Sequence, residues 1–234
     1  MTRTPPRKDP GVAGLAEDVL LALFQPHAGT IAGESTLCHV LAGAVLAELA
    51  LDEAVTVATT ASGFAGARAT PGRMPSDEIL RPAWDYVAGS PGPLQGTLAA
   101  IGPALRQPLL ERLIARGDLR ETNGKVLGVL KTTKLIEGGS GRRQGLIRDV
   151  RSALAEGTDP APRVAALAAL IWGSGTLQQF DPEIPWNPAV IARAEAFGRG
   201  DWGGEGADQA AAGATAAMIG VIVAAMPGQD QGRA

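Results

Sequence analysis

Cys38 adjoins His39, and a thiol beside an imidazole is the pairing from which a cysteine nucleophile is made. Both fall in a stretch with helical spacing, where adjacent side chains diverge by about 100°. The spacing therefore predicts packing or surface residues, not an activated thiol. His27, the other histidine, stands in a Pro/Gly loop, and one cysteine with two histidines supplies no zinc ligand set. Glu17 with Asp18, and Asp77 with Glu78, are adjacent acids at what read as helix starts, where the helix dipole accounts for them without acid–base catalysis. No G-x-S-x-G elbow is present. These residues predict a chain with no covalent chemistry, no metal and no cofactor.

The other chemistry on offer is anion binding. Between Arg106 and Arg151 lie eleven of the 21 lysines and arginines: Arg106, Arg112, Arg116, Arg120, Lys125, Lys131, Lys134, Arg142, Arg143, Arg148 and Arg151. Five acids stand among them (Glu111, Asp118, Glu121, Glu137 and Asp149), which leaves +6 inside a chain of net charge -3. Positive charge gathered in one fifth of an acidic chain predicts an anion-attracting face. Its partner would be lipid headgroup, nucleic acid or an acidic protein. Gly138 to Arg143, GGSGRR, lacks the spacing of a P-loop, and reads either as a wrap for an isolated phosphate or as a solvated connector.

Helices must position these groups. Aromatics make up 4% of the residues, so alanine, leucine, valine and isoleucine build the core, which favours a mainly helical fold. Helical spacing runs from Leu15 to Phe24, Leu37 to Leu51, Asp77 to Val87 with a break near Pro82, and Leu94 to Ile101. It continues in Pro108 to Arg116, closed by Gly117, then in Leu146 to Leu154, Ala161 to Leu177 and Trp186 to Ala196. Ala42, Gly43 and Ala44 would let a neighbouring helix pack close. Ala54 to Thr60 reads as a short strand and Gly63 to Pro75 as an irregular loop. Asn123-Gly124 between two β-prone runs predicts a hairpin with its turn there. Ala210 to Met226 is uncharged but short for a membrane span, so it reads as a buried core helix. Residues 1–11 read as a flexible N-terminal arm, 12–226 as one domain and 227–234 as a polar tail. MTRTPPRKDPG has no apolar run behind its charges and does not read as a secretory signal.

Helix, glycine, strand, turn and strand also describe the wing half of a winged-helix DNA-binding unit. The outward side of Pro108 to Arg116 offers Glu111, Arg112 and Arg116, and no Asn, Gln or Ser for base edges. The hairpin instead carries Leu127, Val129 and Leu130 beside Lys125 and Lys131, an apolar stretch flanked by lysines that suits the edge of an anionic bilayer. The same residues would alternatively bury against another subunit, or simply against their own domain.

LAEDVLLALFQPHAGT, LAGAVLAELAL, LLERLIARGDLR and RVAALAALIWGSGTL, in this order and spacing from Leu15 to Ala225, resemble the Golgi phosphoprotein 3 family, including its bacterial relatives. Glu48-Leu49-Ala50-Leu51 and the R-G-x-L of Arg116 to Leu119 are the most specific pieces. The resemblance implies a compact, mostly helical single domain with a protruding β-hairpin. It also implies a cytoplasmic, peripheral membrane protein that binds phosphatidylinositol 4-phosphate and acts as a non-catalytic adaptor for membrane-protein clients. The family's headgroup site uses a tryptophan, a nearby arginine and a basic pair. These positions fall here at Gly33, Ala42, Pro103 and Arg106, of which only Arg106 keeps the family's chemistry. The sequence thus predicts docking on an anionic phospholipid membrane, with Arg106 on phosphate by resemblance. Arg142, Arg143, Lys131 and Lys134 would add attraction by our reading of the charges. A homo-oligomer built through the hairpin is the alternative, and nucleic acid is less favoured than either.

Overall fold

The structure, a computed structural model, describes residues 13–59, 63–90, 92–126, 130–202 and 209–226, with side chains left out at 59, 123–126, 130–133 and 209–215. The expected arm at 1–11, the tail at 227–234, and the hairpin residues Leu127 and Val129 lie outside the described residues. Helix dominates, and the strands form small two-stranded antiparallel sheets.

Two helices make the centre. Helix α1 (Leu15–Leu23) is buried along its whole length, Glu17 and Asp18 included. Its first turn is closed by Glu17, whose Oε1 accepts from the Gly14 amide at 3.2 Å. Helix α2 (Leu37–Leu51) has the limits that its spacing predicts, but it is buried well beyond one stripe, from Val40 to Ala47 without interruption. A helix apolar nearly all round belongs in the middle of a bundle. Gly43 explains part of this position. A Cβ there would stand 2.6 Å from Met226 Cε and 2.7 Å from Ile222 Cγ2, so the C-terminal helix lies directly on α2.

Strands β1 (Phe24–Gln25) and β2 (Thr30–Ile31) form a short ladder after α1. Strand β3 (Val55–Thr59) pairs with β4 (Ala65–Ala69), where the sequence predicts an irregular loop. AGARA carries no β-branched residue, so nothing local announces a strand. Helix α3 (Leu80–Gly89) starts after Asp77, whose Oδ1 accepts from the amides of Ile79 at 2.8 Å and Leu80 at 3.1 Å. Pro82 falls in its first turn, where the missing N–H costs nothing, so the expected break is absent. Helix α4 (Leu94–Ile101) leads through a 3-10 turn at 102–104 into α5 (Arg106–Arg116). Gly117, at φ 79°, ends α5 with its N–H on Ile114 O while the Asp118 N–H reaches Leu113 O, a Schellman stop.

Strand β5 (Leu119–Val126) then pairs with β6 (Leu130–Glu137), from Leu119 opposite Glu137 to Val126 opposite Leu130. This corrects the expected turn. Asn123 lies opposite Thr133 and Gly124 opposite Thr132, inside the ladder, which continues to Val126 opposite Leu130. A turn at Asn123-Gly124 would pair Leu119 with Gly128 and leave the rest of the second run without a ladder. The observed register instead brings Leu135 beside the fully buried Leu119 to pack on the core. Register follows the buried face.

Helices α6 (Arg142–Ala155), α7 (Pro162–Gly173), α8 (Pro188–Gly198) and α9 (Gln209–Ala225) complete the bundle. Asn187 caps α8 by accepting from the Val190 amide at 3.0 Å. On α9, Met218, Ile219, Ile222 and Val223 are buried, in line with the core-helix expectation. No helix among the described residues is long and apolar enough to cross a membrane. Buried side chains from Leu15 to Met226 form one continuous apolar cluster.

Candidate functional site: an internal ion network and an outward basic hairpin

The basic segment divides into inward and outward groups. Arg142 opens α6 and turns inward: Nη1 donates to Asp118 Oδ2 at 2.6 Å and Nη2 to Asp18 Oδ1 at 2.5 Å. Asp18 also accepts from Arg163 on α7, at 3.0 Å from Nε and 2.8 Å from Nη2. Arg163 Nη1 continues to Glu48 Oε1 at 2.8 Å, and Glu48 Oε2 accepts from the Leu15 amide. On the other flank of α1, Glu17 takes Arg116 Nε at 2.8 Å and lies 3.5 Å from Arg112, which donates to Asp77 Oδ2 at 2.7 Å. Arg143 is buried, with Nε on Phe24 O at 2.9 Å and Nη2 at 3.7 Å from Glu183.

Arg142 and Arg143 are therefore not the outward headgroup ligands that the charge count predicts. Glu17 and Asp18 are the reason for much of this network. Two buried carboxylates on one helix cost several kcal/mol each unless paired, and the arginines of α5, α6 and α7 pair them. Burial opposes the charge on Arg142, but Asp18 and Asp118 outweigh it and raise the guanidinium above its ordinary value. Arg163 is raised in the same way, burial opposing and Glu48 and Asp18 prevailing. Burial likewise opposes ionisation of Asp77, and its bonds to Arg112 and to the Ile79 and Leu80 amides hold it below its ordinary value all the same.

The outward groups include Arg148 and Arg151 on α6, the latter 3.6 Å from Glu156, and others on the hairpin. Arg120 and Lys134 are exposed, and no side-chain hydrogen bond or ion pair engages them among the described residues. The Lys134 stem covers the loop after β1: a Cβ on Gly29 would meet its Cε at 2.5 Å. Lys125 and Lys131 are Cα partners across the ladder. Leu130, Val126's partner, closes the described part of the hairpin. Arg106 stands apart at the start of α5, half exposed, its Nη2 on Glu34 Oε1 at 2.8 Å.

A family model for Golgi phosphoprotein 3 (GPP34) matches residues 15–214, most of the chain. The chain belongs to the Golgi phosphoprotein 3 family. Among curated proteins none matches this sequence. The motifs that most resemble other members of the Golgi phosphoprotein 3 family have architectural work to do. Arg116 holds Glu17, Gly117 supplies the left-handed stop, Asp118 holds Arg142 and Leu119 is fully buried. Glu48, from the other motif, anchors Arg163 and the start of α1.

The Golgi phosphoprotein 3 headgroup positions fare differently. Gly33 has φ 68°, and a Cβ there would stand 2.8 Å from Thr176 Cγ2, so this backbone has no room for the tryptophan of the family. Ala42 is fully buried in α2, and an arginine there would displace core. Pro103 is exposed but offers no charge. Arg106 alone places a cation at the surface, and Glu34 already faces it.

Cys38 and His39 do meet, with Sγ 3.3 Å from Nδ1, contrary to the divergence expected of helical neighbours. No third group orients the imidazole among the described residues. No cluster of three or more potential metal ligands occurs there either. Glu34, Arg163 and the free state of Arg120 are the site features that sequence reasoning missed. Their partners, or lack of them, depend on contacts tens of positions distant.

Proposed function

We propose that this chain is a non-catalytic, peripheral module that docks on an anionic, cytoplasm-facing membrane through the β5–β6 hairpin, with Arg106 as a further cation. The observation that carries the reading is Lys125 opposite Lys131, with Arg120 and Lys134 on the same ribbon and free of carboxylate partners among the described residues. The ribbon from 119 to 137 has four cations (Arg120, Lys125, Lys131, Lys134) and two acids (Glu121, Glu137), a net of +2. Each cation near an anionic surface contributes about 1 kcal/mol. Four would raise affinity by roughly a thousandfold at low salt. Leu127, Val129 and Leu130 follow in sequence between the lysines and supply apolar groups for the interface.

Membership of the Golgi phosphoprotein 3 family supports phosphatidylinositol 4-phosphate as one headgroup and a membrane-protein client as the adaptor's cargo. With Gly33 and Ala42 at the family's positions, the chemistry here favours general negative charge over one headgroup. The test is flotation with three vesicle types: phosphatidylcholine alone, with phosphatidylserine, and with phosphatidylinositol 4-phosphate. Recovery on both anionic types, and little on the neutral one, is the expected result. Equal recovery on all three, or none on any, overturns the reading. Recovery only with the phosphoinositide replaces general attraction by specific recognition.

A second reading has its own observation. Among the described residues the β5–β6 sheet has two strands, and no third strand pairs with either outer edge. Pairing with a second copy would cover them, and a mass that rises with protein concentration in the absence of lipid would favour it.

A further inference from the structure

Arg106 makes one hydrogen bond through its guanidinium among the described residues, from Nη2 to Glu34 Oε1, so the carboxylate engages one corner of a group built to hold two oxygens. The two side chains are 47% and 53% exposed, and such pairs add little stability. Yet Glu34 is placed, not stray. It follows Gly33, whose left-handed backbone packs against Thr176 and whose carbonyl accepts from the Thr36 hydroxyl at 3.2 Å. On the other side of β2, Gly29 lies under the Lys134 stem. One short segment therefore runs from a free hairpin lysine to the carboxylate facing Arg106.

We infer that Glu34 is a tethered competitor for the anion position at Arg106. Its carboxylate fills the place that a lipid phosphate oxygen would take, and docking exchanges one for the other. A lipid phosphodiester carries one negative charge on two non-bridging oxygens, as a carboxylate does, so it wins by number where phosphates are dense and loses where they are sparse. Glu34 thereby sets how anionic a membrane must be before Arg106 contributes. This inference rests on the membrane reading above.

The experiment is quantitative co-sedimentation with phosphatidylserine vesicles of graded charge, using the full chain. Glu34→Gln is compared with Arg106→Gln, the double variant and Glu156→Gln. The last removes an equally exposed glutamate, paired with Arg151, as a control for net charge. Thermal melts confirm that each variant folds. Glu34→Gln should bind about two- to fivefold more tightly, the worth of one exposed pair, and most visibly at low charge density. The gain should vanish in the Arg106→Gln background and be absent from Glu156→Gln. Normal docking with no gain, the same gain in Glu156→Gln, or a gain that survives without Arg106 overturns the inference and leaves the membrane reading standing. No preference for anionic vesicles in any variant overturns both.

Discussion

Asp18 and Arg142 are 124 positions apart and meet at 2.5 Å inside the protein. The contact converts the most prominent basic dipeptide of the sequence from a docking element into part of the scaffold. Arg142 is 22% exposed and Asp18 8% as side chains, so each neutralises a group that water scarcely reaches.

Arg142→Ala should therefore be costly to stability and neutral to docking. Removing one partner of a buried pair costs about 3–5 kcal/mol. Urea unfolding should show the loss, while folded protein retains its affinity for anionic vesicles. A stable Arg142→Ala protein that fails to bind would return Arg142 to the docking face.

The double variant Lys131→Glu, Lys134→Glu should do the reverse. Each cation is worth about 1 kcal/mol at the surface, and reversing two should weaken docking by at least tenfold at low salt. Melting temperature should scarcely move. Raising salt should erase the difference between variant and parent.

Gly33→Ala should destabilise by about 1–2 kcal/mol, since the residue has φ 68° and faces Thr176 Cγ2. Gly33→Trp, which restores the residue type of the family, should cost more and gain no affinity. Denaturant melts with parallel flotation check both statements.

Asp77 gives the acid limb of stability a handle. Its folded value lies below the ordinary 3.8, so it contributes stability above that value and loses it as pH falls through the folded one. Asp77→Asn should lower stability at neutral pH and flatten the stability–pH curve below about pH 4. An unchanged curve, measured by urea unfolding from pH 2 to 5, would show that Arg112 does not hold the charge.

Local signals carried far in this chain. The limits of α2, the glycine stop at 117 and the core role of α9 follow from spacing and composition within a few residues of each element. The hairpin was legible as a hairpin, but its turn was not, because register depends on Leu119 and Leu135 sharing a buried face. Glu17 and Asp18 do fall in the first turn of α1, but their partners, like the inward turn of Arg142 and Arg143, are not legible in sequence for one common reason. Charge type is written locally, whereas the partner that turns a charge inward lies about 100 positions or more away. Arg120 and Lys134 look no different in sequence from Arg142, and only the folded arrangement separates them.

Glu17 and Asp18 point to different sides of one helix, and each is claimed by its own set of arginines: α5 for the first, α6 and α7 for the second. Sliding or rolling α1 by a single residue would unseat both at once, with no apolar substitute within reach. The pair works as a two-toothed key, fixing the rotation and the depth of the central rod where greasy side chains alone would tolerate several settings.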